Sequence, residues 1–81
     1  MIYEANPVRV DAHIIISVGA VLPNGSMHVA TQDGENRIAT ASMISRYIPV
    51  AGDYWVIQED GYEYVNPKDV FERKYHPIKE N

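Results

Sequence analysis

The sequence predicts a single α+β domain, mostly β, over residues 1–81: a small bent antiparallel sheet of about five strands, a short helical turn and one C-terminal helix. Three observations carry this. The even positions from Val8 to Leu22 are all apolar. Asn24-Gly25, Asp33-Gly34 and Asp60-Gly61 fall between apolar or alternating segments. The segment "NPKDVFERKY" carries helix start signals and a proline shortly after it. Period two marks strands, Asx-Gly marks hairpins, and Pro after a helical pattern marks its end.

In the first strand, Val8, Val10, Ala12, Ile14, Ile16, Val18, Ala20 and Leu22 alternate with Arg9, Asp11, His13, Ser17 and Gly19. Such alternation predicts one buried face along a long strand, with a bend or bulge near Ser17–Gly19. A two-residue loop at Asn24-Gly25 pairs Leu22 with Met27, Ala20 with Val29 and Val18 with Thr31. A second at Asp33-Gly34 pairs Val29 with Ile38 and His28 with Ala39. Residues 41–47, "ASMISRY", read as a helical turn capped by Ser42. Pro49 and Gly52 break the chain. The third hairpin joins 53–59 to 62–65 across Asp60-Gly61, with Ile57 facing Tyr64 and Val56 facing Val65. Both its faces carry apolar groups, so both are expected to be covered. Asn66 is the expected N-cap and Pro67 the first residue of the final helix, which Pro77 stops. Together these elements predict a bent sheet or a partly open SH3-like barrel.

The stretch "GDYWVIQEDGYEY", residues 52–64, holds four aromatic residues, four carboxylates and no basic residue. The reading favoured here is a core hairpin on which Trp55, Tyr62 and Tyr64 stack and receive Phe71 and Tyr75 from the helix. Its acidic tip, Glu59, Asp60 and Glu63, is expected to be solvated. The alternative is an exposed aromatic patch in which Tyr47, Tyr54, Tyr62 and Tyr64 bring hydroxyls to the surface.

Net charge is −4, and seven scattered basic residues make no phosphate-binding footprint. Direct nucleic-acid binding is therefore not expected. The chain has no cysteine, and its three histidines lack the spacing of a metal site. No serine has an evident His–Asp partner, and no phosphate loop is present. The expectations are no enzyme activity, no metal and no cofactor. The longest apolar run, Ile14–Ile16, and the first residues of the chain predict neither a membrane span nor a signal peptide, so a cytoplasmic protein is expected.

Two blocks resemble a family of small tailed-phage and prophage proteins. "NPVRVDAHII" is similar to their "KP-x-x-VEA" opening, and residues 48–78 are similar to their closing segment. That segment carries a Pro-Gly-Asp-Tyr-Gly signature, a Pro-initiated helix and a Phe-x-x-x-Tyr pair. Here "AGDYW" replaces the signature, with Ala51 for its first Pro and Trp55 for its last Gly. The matching positions are Pro7, Val10, Gly52, Asp53, Tyr54, Pro67, Phe71 and Tyr75. Residues 19–46 carry no family signal. The resemblance implies scaffold roles for Gly52, Pro67, Phe71 and Tyr75, and the core reading of the hairpin adds Trp55. It also implies a setting, the cytoplasm of an infected bacterium.

The function expected in that setting is a non-enzymatic phage accessory protein. It would bind a host protein and inhibit a defence system or a host enzyme. Loops on a rigid scaffold usually carry such specificity. The expected partner-binding residues are His28 and Arg37 on the middle hairpins and Glu59, Asp60, Tyr62 and Glu63 at the acidic tip. One alternative is an oligomeric sponge for a small nucleotide, with Arg9, Arg37 and Arg46 on phosphate and tyrosines on the base. Another is a minor virion component. Homo-oligomerisation is compatible with so small a core.

Overall fold

Three glycine turns set the register of the sheet, and all three are the same turn. The computed structural model describes residues 2–5 and 8–77. Its elements are β1 (Ile2–Ala5), β2 (Val8–Val21), β3 (Met27–Thr31), β4 (Asn36–Ala39), α1 (Ala41–Arg46), β5 (Tyr54–Gln58), β6 (Glu63–Asn66), α2 (Lys68–Lys74) and β7 (His76–Pro77). At the hairpin turns the N–H groups of Gly25, Gly34 and Gly61 donate to the carbonyls of Leu22, Thr31 and Gln58 at 2.8, 3.0 and 2.9 Å. The N–H groups of Leu22, Thr31 and Gln58 in turn donate to the carbonyls of Ser26, Glu35 and Tyr62. Each loop therefore has three residues, with glycine in a left-handed bulge position.

The two-residue loop expected from the sequence needs positive φ at both central residues. Among the described residues only glycines adopt it: Gly25 at +85°, Gly34 at +87°, Gly61 at +90° and Gly52 at +100°. Asn24, Asp33 and Asp60 stay on the ordinary side and avoid a cost of about 1 kcal/mol each. Their side-chain oxygens instead accept the N–H two residues on, from Ser26 (3.0 Å), Glu35 (3.4 Å) and Tyr62 (3.0 Å). Pro23 adds a reason at the first turn. It has no N–H to give to the pairing that the shorter loop requires.

The extra residue shifts every expected pairing. Val21, not Leu22, pairs with Met27; Val18 pairs with Val29 and Ile15 with Thr31, across bulges between Ile15 and Ser17 and between Val18 and Val21. His28 pairs with Ile38 and Val29 with Arg37. Val56 pairs with Tyr64 and Ile57 with Glu63. A slip of one residue exchanges the faces of a strand. Ile38 is thereby turned outward and is 55% exposed, while Arg37 is turned inward.

Strands β2 to β6 form a curled antiparallel half-barrel in the order β4-β3-β2-β5-β6; β1 pairs with the start of β2, and β7 pairs with β1. Strand β2 does not keep one buried face. Val10 and Ala12 are buried, but the buried set passes to Ile15, and Ile16, Val18, Ala20 and Leu22 are exposed. The cause is its two neighbours. The N–H and C=O of Ile15 bond to Asp53 and Gly52, whereas the C=O of Ile14 accepts from Gln32. β2 thus serves β5 in its first half and β3 in its second. Pro7 and the side chain of Val8 lie outside the described residues.

Two cores result, one on each face of β5, so both faces of that strand are covered. On one face Val10, Ala12, Tyr54 and Val56 pack with Phe71 and Tyr75 of α2. Tyr54 stacks on Phe71 at 4.1 Å between ring centroids, and Phe71 on Tyr75 at 4.7 Å. On the other face Trp55 packs with Ile15, Met27, Val29 and Ala39, closed by Met43 and Ile44 of α1. The helix therefore docks on Tyr54, not on Trp55 and Tyr62 as expected. Tyr54 is buried, and its hydroxyl donates to Glu72 (2.8 Å). Val70 of α2 is exposed.

The helix caps also differ from expectation. Thr40, not Ser42, caps α1, accepting from the Met43 N–H at 3.3 Å. Pro67, not Asn66, is the N-cap of α2 and offers no side-chain bond. The cap comes from Asp53, fifteen residues earlier, which accepts the Lys68 N–H at 3.0 Å. Asp53 is buried, and also accepts from the Tyr47 hydroxyl (2.8 Å) and the Val50 N–H (3.0 Å). α2 ends at Lys74, ahead of Pro77, which instead lies in β7 opposite Tyr3.

Gly25→Ala places a Cβ 2.9 Å from that of Ala41, whereas Gly61→Ala meets nothing within 4 Å. Denaturant unfolding is expected to show a loss of about 1 kcal/mol for Gly61→Ala and a clearly larger loss for Gly25→Ala. Equal losses would disprove the crowding argument. Asp53→Ala removes three hydrogen bonds at once and is expected to cost about 3 kcal/mol or more by the same assay.

Candidate functional site: the open seam of the half-barrel

Among the described residues the outer strands of the half-barrel, β4 and β6, are each paired on one side only. The register slip decides what faces the gap between them. Arg37 on β4 lies over the Trp55 ring, 6.0 Å from its centroid. The Trp55 Nε1–H donates to Glu63 Oε1 on β6 at 2.7 Å. Arg37 Nη1 reaches the same oxygen at 3.9 Å, so one carboxylate and one guanidinium clasp the seam above the indole.

Arg37 is held from behind as well. Its Nη2 donates to Asp33 (2.7 Å) and its Nε to the Thr31 hydroxyl (3.0 Å). Thr31 donates to Asp33 in turn. His13, opposite Trp55 in the register, lies between two carboxylates, with Nε2 3.2 Å from Asp11 and Nδ1 3.5 Å from Asp33. The Thr31 hydroxyl, followed by Arg37 and the Glu35 N–H, holds the Asp33 carboxyl well below the usual carboxylate range, against a weaker opposing effect of burial. Arg37 is thus a fixed part of the frame. Among the described residues no three His, Asp or Glu are grouped so as to hold a metal ion.

Beyond the clasp, α1 lies in the gap. A shallow groove of about 290 Å³ runs past Ile38, Met43, Arg46, Trp55, Tyr62 and Glu63. Tyr62 is 49% exposed. It stacks on Tyr64 at 5.8 Å and accepts from Arg46 Nη1 at 3.1 Å. On the far side of that Arg46–Tyr62 contact a second cleft of about 360 Å³ follows the outer edge of β6 toward Lys74. Burial, helped by the neighbouring Tyr75 hydroxyl 3.5 Å away, pushes the Tyr64 hydroxyl up to about 12.

The residues expected to bind a partner are therefore divided. Glu63 and Tyr62 border the seam, and Arg37 is clasped within it. Glu59 and Asp60 are exposed as the central residues of the β5–β6 turn. His28 is exposed on the opposite face of its strand from Val29 and stands beside Ile38. Of the scaffold positions, Gly52 takes positive φ, and Trp55, Phe71 and Tyr75 are buried. Nothing local in the sequence groups Thr31, Asp33 and His13; only the strand register brings them together. No family model, no curated protein and no solved structure matches the chain.

The Asp33 arrangement has a definite pH signature. A carboxyl whose pKa is lowered by folding contributes stability that is present above its unfolded value near 4 and lost as pH falls through the folded value. Asp33→Asn is expected to flatten the acid side of the stability curve below about pH 4 relative to wild type. Curves of identical shape would show that the Thr31–Asp33–Arg37 contacts do not form in solution.

Proposed function

We propose that this protein is a non-enzymatic binding module, a phage-encoded accessory protein that engages a host protein and blocks a defence system or host enzyme. The seam is the binding face. The observation that carries this is the composition of the groove. Tyr62 and Ile38 stand about half exposed on its two edges, with buried Trp55 at its base and Arg46 alongside. Tyrosine, tryptophan and arginine are the residue types that dominate interface energetics, and a polar rim is the usual surround. Thr40, Ser42 and Glu63, which line the groove, supply that rim. The phage setting rests on the resemblance of the two terminal blocks and is analogy. The bacterial cytoplasm is the compartment that goes with it. Among the described residues no helix is long and apolar enough to cross a membrane.

The test is affinity capture from nuclease-treated infected-cell lysate with three baits: wild type, Tyr62→Ala and Val70→Ser, the last a control on the exposed side of α2. A stoichiometric host protein retained by wild type and Val70→Ser, and at least tenfold depleted with Tyr62→Ala, is the expected result. Retention by all three baits would move the interface away from the seam. Recovery of the protein in purified particles would instead favour a virion role.

A further inference from the structure

The second cleft differs from the groove in chemistry. Among the described residues its lining contains two cations, Arg46 and Lys74, and no carboxylate, in a chain of net charge −4. The two cations come from different helices, Arg46 from the last turn of α1 and Lys74 from the last turn of α2. Tyr62 and Tyr64 line the same cleft, stacked on each other at 5.8 Å with planes 30° apart. Tyr62 is half exposed, so its ring offers a further stacking surface. The amides of Gln58 and Asn66, both partly buried, complete the wall. An amide presents a donor and an acceptor side by side, the pairing that the edge of a heterocyclic base requires.

From this arrangement we infer that the Arg46–Lys74 cleft binds a free mononucleotide, with its base on the Tyr62–Tyr64 pair and its phosphate between the two cations. The inference rests on the reading of the chain as a binding module, but on a cleft separate from the host-protein groove. Planar rings stack on tyrosine whatever the base, and arginine gives a phosphate paired charged hydrogen bonds. The volume, about 360 Å³, lies at the small end of the range for ligand clefts, which fits one nucleotide rather than two. The overall negative charge disfavours a nucleic-acid polymer, which brings a row of phosphates past the acidic surface. The site also departs from the cation set expected from the sequence. Arg37 is engaged by Asp33 and Glu63, and Arg9 lines a different pocket.

The experiment is calorimetric and NMR titration of the whole chain with AMP, adenosine, inorganic phosphate and a short single-stranded oligonucleotide. AMP is expected to bind with Kd on the order of 10–100 µM, with adenosine and phosphate each at least about tenfold weaker. Arg46→Gln and Lys74→Gln are each expected to weaken AMP by about tenfold or more while leaving the amide spectrum folded. No heat and no shift at Tyr62 or Tyr64 with AMP would overturn the proposal. So would AMP affinity unchanged in Lys74→Gln, adenosine binding as well as AMP, or tighter binding of the oligonucleotide. Lys74 does not line the groove at Trp55, so host capture is expected to survive Lys74→Gln. Failure of the nucleotide site and failure of the host-binding reading are thereby separate results.

Discussion

The buried carboxylate of Asp53 is the constraint on which the rest of the fold depends. A charge taken from water is tolerated only when hydrogen bonds replace its hydration. Here the replacements come from three separate places: the Tyr47 hydroxyl, the Val50 N–H and the first N–H of α2. Its own carbonyl accepts from Ile15, the residue at which β2 changes its buried side. One side chain thus joins the end of the α1 loop, the start of β5 and the start of α2. The Asp53 bond also holds the Tyr47 hydroxyl protonated above its ordinary range, with burial adding to the effect. Pro67 can open α2 without a side-chain cap because the cap is supplied across the fold.

The second organising influence is backbone sterics at three turns. Each turn hands positive φ to glycine and leaves the preceding Asn or Asp to bond its own backbone. That choice adds one residue to each loop. The consequence reaches well beyond the turns, because side chains alternate along a strand. It brings Arg37 and Glu63 in toward Trp55 and turns Ile38 outward. The seam of the half-barrel is clasped by charge and lined by exposed apolar and aromatic groups because of how three glycines are used.

The two clefts share a wall, the contact between Arg46 and Tyr62. On one side the surface suits an apolar and aromatic anchor from a protein. On the other it suits a small anion with a flat ring. Arg46 and Tyr62 line both clefts.

The sequence alone determined the mostly-β class, the three hairpins and a C-terminal helix, because these follow from local rules. Alternation, Asx-Gly pairs and Asn-Pro before a helical pattern act over a few residues, and each can be read where it stands. It also marked Pro49 and Gly52 as chain breaks, through their residue types. Only the tertiary structure decided the register, the switch of buried faces in β2, the stacking of Tyr54 on α2 and the cap from Asp53. Two turn types were open to each Asx-Gly pair, and the choice between them is worth little locally. It becomes decisive when two sheets of side chains must pack on both faces of β5 at once. The candidate site was legible as residue types, Arg37, Tyr62 and Glu63. It was not legible as an arrangement, because a one-residue slip changes every neighbour and leaves the sequence pattern untouched.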